Sequence, residues 1–352
     1  MSEFKVEVVR LDGIEPIPDA DAIELARVGD YLSVVRKGAF QPGDLVAYLP
    51  EASILPNALT EELGLTGKLG GAGKNRIKAV KLRGQLSQGI CYPARPDWVE
   101  GQDVAEELGI VKYVQEVPAH LRGNYSGDPH PIKYDFENIK KYPRVIQDGE
   151  EVVMTEKIHG TFVCFGIRRQ PDGSFQRIVC SKGLGARGFF FKLDDPANEH
   201  NVYVKTAKQL DIHGRLEAVA GEMTREILLF GEIYGVQDLK YDFKPDAINF
   251  RAFDMRLNGM YLDLGILRME CHLFGVPMVP VLYQGPFSKD ILLEHTVGKE
   301  TLSGRGLHVR EGVVVKPVVE RTEGRLPHNG RVCFKSINPA YLLRRGDTSE
   351  LE

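Results

Sequence analysis

The 352-residue chain has no apolar run that approaches the ~20 residues needed to span a bilayer. Its opening residues, MSEFKVEVVR, lack the basic-then-apolar layout of a secretory signal. Membrane insertion and export are therefore not expected. Cysteine is scarce and scattered: Cys91, Cys164, Cys180, Cys271 and Cys333 form no CxxC and no Cys/His group at zinc spacing. That excludes a disulfide framework and points to reduced, mostly buried thiols in a cytoplasmic protein. Neither sign of charge dominates, since 45 Lys and Arg meet 49 Asp and Glu for a net charge of −4. A near-neutral balance argues against wholesale coating of a polyanion, yet it leaves room for a local basic patch. Internal repeats, low-complexity tracts and heptads are absent too.

What is present is an ordinary soluble composition, 43% hydrophobic and 27% charged, with length enough for two domains. From Phe4 to about Pro96, short β-type runs alternate with Pro and Gly punctuation. Strands are expected over Lys5–Leu11, Tyr31–Arg36, Asp44–Tyr48, Arg76–Leu82 and Gly89–Tyr92, a spacing that suggests a small barrel. The run Pro18–Ala26, with Val34-Val35 and Gly43-Asp44-Leu45-Val46, resembles the strand pattern of tRNA-binding OB modules. Residues 97–142 turn rich in Pro, His and Tyr and read as connection, so domains of 1–125 and 126–352 are expected. Further strands are expected over Glu151–Lys157, Thr161–Arg168, Arg177–Ser181, Leu228–Tyr234, Asn249–Met255, Gly312–Lys316 and Arg331–Lys335. Two helices are expected, Val204–Leu210 and Gly265–Phe274.

The most informative segment is Glu156-Lys157-Ile158-His159-Gly160-Thr161, where a lysine stands between a hydrophobic strand and a glycine turn. A lysine amine is a nucleophile only when neutral, and its ordinary pKa is about 10.4. Attack on a nucleotide phosphate therefore needs neighbouring cations or a metal, which also stabilise the phosphoryl charge of the transition state. Such a site calls for further lysines and some carboxylates at adjacent strand ends. The chain supplies Ser181-Lys182-Gly183, Phe230-Gly231-Glu232, Phe250-Arg251-Ala252-Phe253-Asp254, Glu311-Gly312-Val313-Val314-Val315-Lys316 and Phe334-Lys335-Ser336, in that order. Singly each has an ordinary structural reading, as an edge lysine, a satisfied carboxylate or a core phenylalanine.

The ordered set closely resembles the covalent nucleotidyltransferase superfamily of polynucleotide ligases and capping enzymes, over roughly residues 150–341. DNA ligases and capping enzymes usually carry Lys-x-Asp-Gly and a trailing OB domain. This chain has His159 at the third position and only 17 residues after Lys335, with its OB-like module in front. That arrangement resembles nick-sealing, repair-type RNA ligases. The fold implied is α+β: an OB-like β-barrel, then an adenylyltransferase domain of antiparallel sheets with flanking helices. The activity implied is ATP-dependent joining of 3′-hydroxyl and 5′-phosphate ends through a lysyl–AMP intermediate, by a monomer acting on nicked duplexes with RNA on the 3′-hydroxyl side. A DNA ligase, a guanylyltransferase, or a nucleic-acid-binding protein with an inactive domain are the alternatives.

The resemblance also implies roles. Lys157 would take AMP from ATP, with Glu156, His159 and Gly160 beside the nucleotide. Lys182 would contact phosphate, although many relatives use arginine there and lysine loses the bidentate fork. Glu232 would bind the ribose hydroxyls and Phe253, or else Phe250, would stack on adenine. Glu311 would organise hydrated Mg2+ or Mn2+, and Lys316 and Lys335 would grip the triphosphate. Strand alternation puts Glu311 and Lys316 on opposite faces, so both cannot point straight into one pocket. Phe162 stands where some nick-sealing relatives have asparagine. His159 either pairs with a phosphate or fixes its turn by a hydrogen bond.

Two segments stand apart. Gly183–Gly188 matches GxGxxG, but the residues that follow (FFFKLDDP) make no amphipathic helix, which excludes a dinucleotide fingerprint. Between Lys68 and Arg83 lie Lys68, Lys74, Arg76, Lys78, Lys81 and Arg83 with no acidic residue, a natural phosphate-tracking surface on an OB-like barrel.

Overall fold

A computed structural model describes residues 4–114, 132, 134–182, 190–235, 237–241 and 249–344. Both the expected boundary near 125 and the Gly183–Gly188 segment lie outside the described residues. The described chain forms two compact units, one within Met1–Gln115, Glu137–Val145 and Ser336–Glu352, the other within Glu116–Phe136 and Ile146–Lys335.

The first unit carries β1 (Glu7–Arg10), β2 (Gly13–Pro16), β3 (Ile23–Val28), β4 (Tyr31–Arg36), β5 (Leu45–Leu49), β6 (Ser53–Ile54), helix α1 (Asn57–Glu62), β7 (Val80–Leu82), β8 (Gln85–Ser87), β9 (Ile90–Pro93), β10 (Val111–Lys112) and β11 (Glu137–Asn138). Strands β1-β5-β9 make one antiparallel sheet and β2-β3-β4 another. The central strand β5 is buried on both faces: Val46 joins a core with Leu11, Ala26 and Val35, while Ala47 and Leu49 join one with Val8, Leu55 and Trp98. That is why it reads as a continuous apolar run. Strands β7 and β8 form a two-stranded ribbon closed by Arg83 and Gly84, both at positive φ (48° and 81°). This is the hairpin geometry that matches strand twist. The expected strand from Arg76 is thus shorter than read, because Arg76 is buried with its guanidinium 4.0 Å over the Tyr113 ring. It leaves the phosphate-tracking set, whereas Lys68, Lys74, Lys81 and Arg83 remain exposed.

The second unit holds β12 (Glu151–Lys157), β13 (Gly160–Arg169), β14 (Phe175–Ser181), α2 (Val202–Gln209), α3 (Ile212–Val219), β15 (Glu226–Tyr234), β16 (Phe250–Leu257), β17 (Met260–Tyr261), α4 (Leu264–Leu273), β18 (Val281–Pro286), α5 (Lys289–Thr296), β19 (Gly312–Pro317) and the start of β20 (Phe334–Ile337). One antiparallel sheet runs β14-β13-β15-β16-β17; in another, β12 lies between β18 and β19. The sheet built on β13 and β15 is covered on both faces. Val163, Phe165 and Ile167 pack with α2, α3 and α4 through Val204, Leu216 and Leu267, while Cys164, Leu228 and Phe230 face Ile132 and Tyr134.

Several elements depart from the sequence reading. More than two helices form: Asp211, left-handed at φ 46°, separates α2 from a second helix, α3, that the composition hid. Strand β18 ends in Gly285-Pro286, which suits only an edge, and it pairs on one side alone. The last strand begins at Phe334 rather than Arg331.

Within β16 the register slips: Phe230 faces Asp254 and Gly231 faces Ala252, leaving Phe253 as the extra residue of a bulge. The bulge separates the two candidate stacking rings. Phe250 sits in the core 5.3 Å from Phe165, and Phe253 is half-buried on the other side, 5.2 Å from Tyr134 and 6.2 Å from Phe162.

Candidate active site

Lys157 is the last residue of β12 and lies in register with Gly312, the first residue of β19. Glu311 therefore arrives at the same strand end, and the Lys157 amine donates to its Oε1. The motif glycine is required by close approach and not by turn geometry. A Cβ on Gly160 would collide with the Ile233 carbonyl oxygen and lie 2.9 Å from Glu232 Cγ. Gly231 is constrained likewise, since its Cβ would run into the Phe250 ring. Because Gly160 pairs with Tyr234 and Phe162 with Glu232, the start of β13 and the end of β15 bring Glu232 beside the lysine turn. Val163 pairs with Ser181, which delivers Lys182 to the same end of the sheet.

These groups feel one another. Burial, reinforced by the Lys157 charge, lowers the Lys182 pKa to about 8 against the pull of Glu232 and Glu311. Asp135 Oδ1 lies 3.2 Å from the Lys182 amine. Burial raises Glu232 to about 8 although Lys157 and Lys182 oppose the shift, with Glu311 adding to it. His159 is buried, its Nε2 2.7 Å from Asp238 Oδ1 and its Nδ1 3.8 Å from Glu311 Oε2.

Lys157, His159, Gly160, Lys182, Glu232 and Glu311 are thus brought together, and Phe253 packs against Ile158 and Tyr241 beside them. Two expected partners go elsewhere. The Glu156 carboxylate leaves on the opposite face of β12 and accepts from the Thr301 amide and hydroxyl, and burial raises its pKa despite those bonds. Lys316 pairs in register with Val153, four residues from the Lys157 end, roughly 13 Å along the strand. There it joins Asp254 (3.2 Å) and Glu320 (2.9 Å), in a buried cluster that Arg331 completes. Lys335 is buried on β20. Phe162 fills its position as part of the aromatic cluster around Tyr134, at 5.7 Å. Asp135, Asp238 and Tyr241 carried no motif, and only the fold shows them at the site.

Among the described residues, no group of three or more His, Cys, Asp or Glu could hold a metal ion by itself. Among the same residues no helix is long and apolar enough to cross a membrane.

A family model for RNA ligase matches residues 150–337. The chain belongs to the RNA ligase family. A model for an OB-fold domain matches residues 5–94, so the expected order of an OB module followed by a ligase domain holds, as does the α+β class. A search of the curated proteins found no match. Solved structures of Naegleria gruberi RNA ligase share the fold. One variant with ATP and Mn is 24% identical at TM-score 0.76, covering 96% of this chain and 98% of that one. The enzyme with PPi is 24% identical at TM-score 0.76, covering 97% and 98%, and a variant with AMP and Mn gives 24%, 0.76, 96% and 98%.

Proposed function

We propose that this RNA ligase uses ATP to join 3′-hydroxyl and 5′-phosphate ends at duplex nicks, with RNA on the 3′-hydroxyl side, through a lysyl–AMP intermediate on Lys157. The observation that carries the reading is the meeting of strand ends from two sheets, Lys157 and Glu311 at the ends of β12 and β19 with Lys182 and Glu232 at the ends of β14 and β15. In the first step the Lys157 nitrogen bonds to the α-phosphorus while the bond to pyrophosphate breaks. The 5′-phosphate then takes AMP from the lysine, and finally the 3′-hydroxyl attacks and AMP leaves. An amine attacks only as the free base, whereas here the Lys157 amine donates to the Glu311 carboxylate. Glu311 must therefore be engaged elsewhere before attack.

A divalent Mg2+ or Mn2+ would supply charge to the triphosphate oxygens. Glu311 would hold it, a single carboxylate being enough for an ion that keeps several of its waters. The Naegleria gruberi structures with ATP and Mn and with AMP and Mn support the same pairing of nucleotide and metal. Lys182 would hold phosphate, Glu232 the ribose, and Phe253 the base. Lys316, tied into its own cluster, contributes through the fold. Five buried, unpaired thiols suit a cytoplasmic enzyme.

Phe253→Ala is expected to weaken ATP binding by about 1–3 kcal/mol, the worth of an aromatic stacking surface, with a smaller loss of stability than a fully buried ring would cost. Phe250→Ala should do the reverse and cost about 3–5 kcal/mol of stability. Titration calorimetry with ATP beside urea unfolding checks the pair.

On the first unit, the exposed Lys74, Lys81 and Arg83 of the loop and ribbon form the phosphate-tracking surface. Neutralising all three should weaken nick binding and lower its salt slope by about 3, near 0.9 for each phosphate that is no longer neutralised, while AMP transfer from ATP stays intact. Unchanged nick affinity contradicts this assignment. Sealing of matched nicked duplexes with ribose or deoxyribose at the 3′ end, using labelled ATP and GTP, tests the substrate reading. GTP dependence or indifference to the ribose overturns it.

A further inference from the structure

Between β15 and β16 a short strap, residues 237–241, fastens to the turn that carries the lysine. Gln237 Nε2 donates to the Gly160 carbonyl. Asp238 Oδ1 takes the His159 ring at Nε2, 2.7 Å away. The Tyr241 hydroxyl accepts from the His159 backbone N–H at 2.8 Å. The Tyr241 ring packs with Ile158 and meets Tyr234 edge-on at 5.3 Å. Lys240 closes the strap on itself, donating to the Gly235 and Gln237 carbonyls at 3.2 and 2.5 Å. Each of the three residues after Lys157 is thus held by the strap: Ile158 by packing, His159 at ring and amide, Gly160 at its carbonyl.

Buried backbone groups outside a ladder need partners, so some of these bonds serve the fold. Their distribution says more. Ladder bonds hold Lys157 and the residues before it from one side, against Gly312 and β19. The strap holds the residues after it from the other, and through His159 it faces Glu311, the partner of the Lys157 amine. We infer that Gln237, Asp238 and Tyr241 are positioning residues for Lys157, a strap that fixes the turn so that the amine meets phosphorus in line. This rests on the proposed role of Lys157 as the nucleophile. The Tyr241 ring also meets Tyr234 and His308, but Tyr241→Phe keeps that ring and the strap is assigned no contact with nucleotide, so loss of its polar contacts should slow the chemical step and leave nucleotide binding in place.

The test measures single-turnover AMP transfer to the protein across ATP concentrations for wild type, Asp238→Ala, Asp238→Asn and Tyr241→Phe. Peptide mass spectrometry locates the adduct in each. Asp238→Ala and Tyr241→Phe are expected to slow the maximal rate roughly 10- to 100-fold, the scale of a small misplacement of reacting groups. Half-saturating ATP should stay within about twofold, since ground-state binding is untouched. Asp238→Asn should recover most of the rate, because its amide oxygen still accepts from His159 Nε2–H. The Asp238 side chain is 59% exposed, so its replacement tests geometry and not folding. The inference is overturned if the Ala and Phe variants react at the wild-type rate, if half-saturation rises at constant rate, or if Asn is as slow as Ala. A wild-type enzyme with no adduct at Lys157 instead overturns the underlying reading, whatever the variants do.

Discussion

Lys157→Met should abolish sealing of 5′-phosphate ends, by about 10⁴- to 10⁶-fold, the scale of losing a covalent nucleophile. The same variant should still join an end that already carries its adenylate. In the proposed mechanism the amine forms and breaks a bond only in the first two steps, and in the third the nucleophile is the 3′-hydroxyl. Methionine keeps the unbranched length of lysine, and the ladder that holds β12 runs through backbone groups paired with β18 and β19. The fold therefore has no reason to fail. Gel-resolved sealing of phosphorylated and pre-adenylylated strands separates the steps. Loss of both activities in a folded variant would assign Lys157 a role in holding the nick, and loss of neither would remove it from the chemistry.

Asp254→Ala should cost about 3–5 kcal/mol of stability, the penalty for leaving buried charges without their partner. Asp254 lies in the interior 2.6 Å from Arg331 and 3.2 Å from Lys316, and accepts from the Tyr134 hydroxyl at 2.8 Å. Without it, two buried cations share Glu320 alone. Burial by itself would raise the Asp254 pKa, but Lys316 and Arg331 more than offset it, and the carboxyl sits below its ordinary value. A depressed folded pKa means that the contribution is fully present above the unfolded value, about 4. It is lost as pH falls through the folded value. Urea unfolding should show a wild-type advantage over Asp254→Asn that is constant near neutrality and shrinks only in strong acid. An advantage that grows toward acid would refute the charge assignment. The loss should also reach ATP binding, because Asp254 follows Phe253 on the bulge and anchors Tyr134 beneath its ring.

How much of this was legible in the sequence depended on which force set each element. A strand buried on both faces announces itself as an apolar run, and β12 has the bounds read from sequence, Glu151–Lys157; β4, buried on one face only, also keeps its bounds, Tyr31–Arg36. Edge strand β18 does not, since Gly285 and Pro286 end it and one neighbour suffices. Helix α3 was hidden by Gly214 and by a left-handed Asp211 that no periodicity encodes. Motif order picked out Lys157, Lys182, Glu232 and Glu311, which the fold brings together because the ends of strands from two sheets meet there. Alternation already set Lys316 against Glu311, and the same rule sends the Glu156 carboxylate away from Lys157. The bulge at Phe253 is a property of pairing between two strands, so neither strand's own sequence reveals it. Asp135 and Asp238 are single acids in connecting segments, and their meeting with Lys182 and His159 exists only once the chain has folded.

The most direct test is peptide mass spectrometry of the wild-type protein after incubation with ATP and Mn2+ or Mg2+. One adenylate should appear on the peptide containing Lys157, bound through nitrogen and therefore labile to acid, with ATP and not with GTP. A Lys157 peptide that stays unmodified, or an adenylate on a different lysine, would contradict the mechanism.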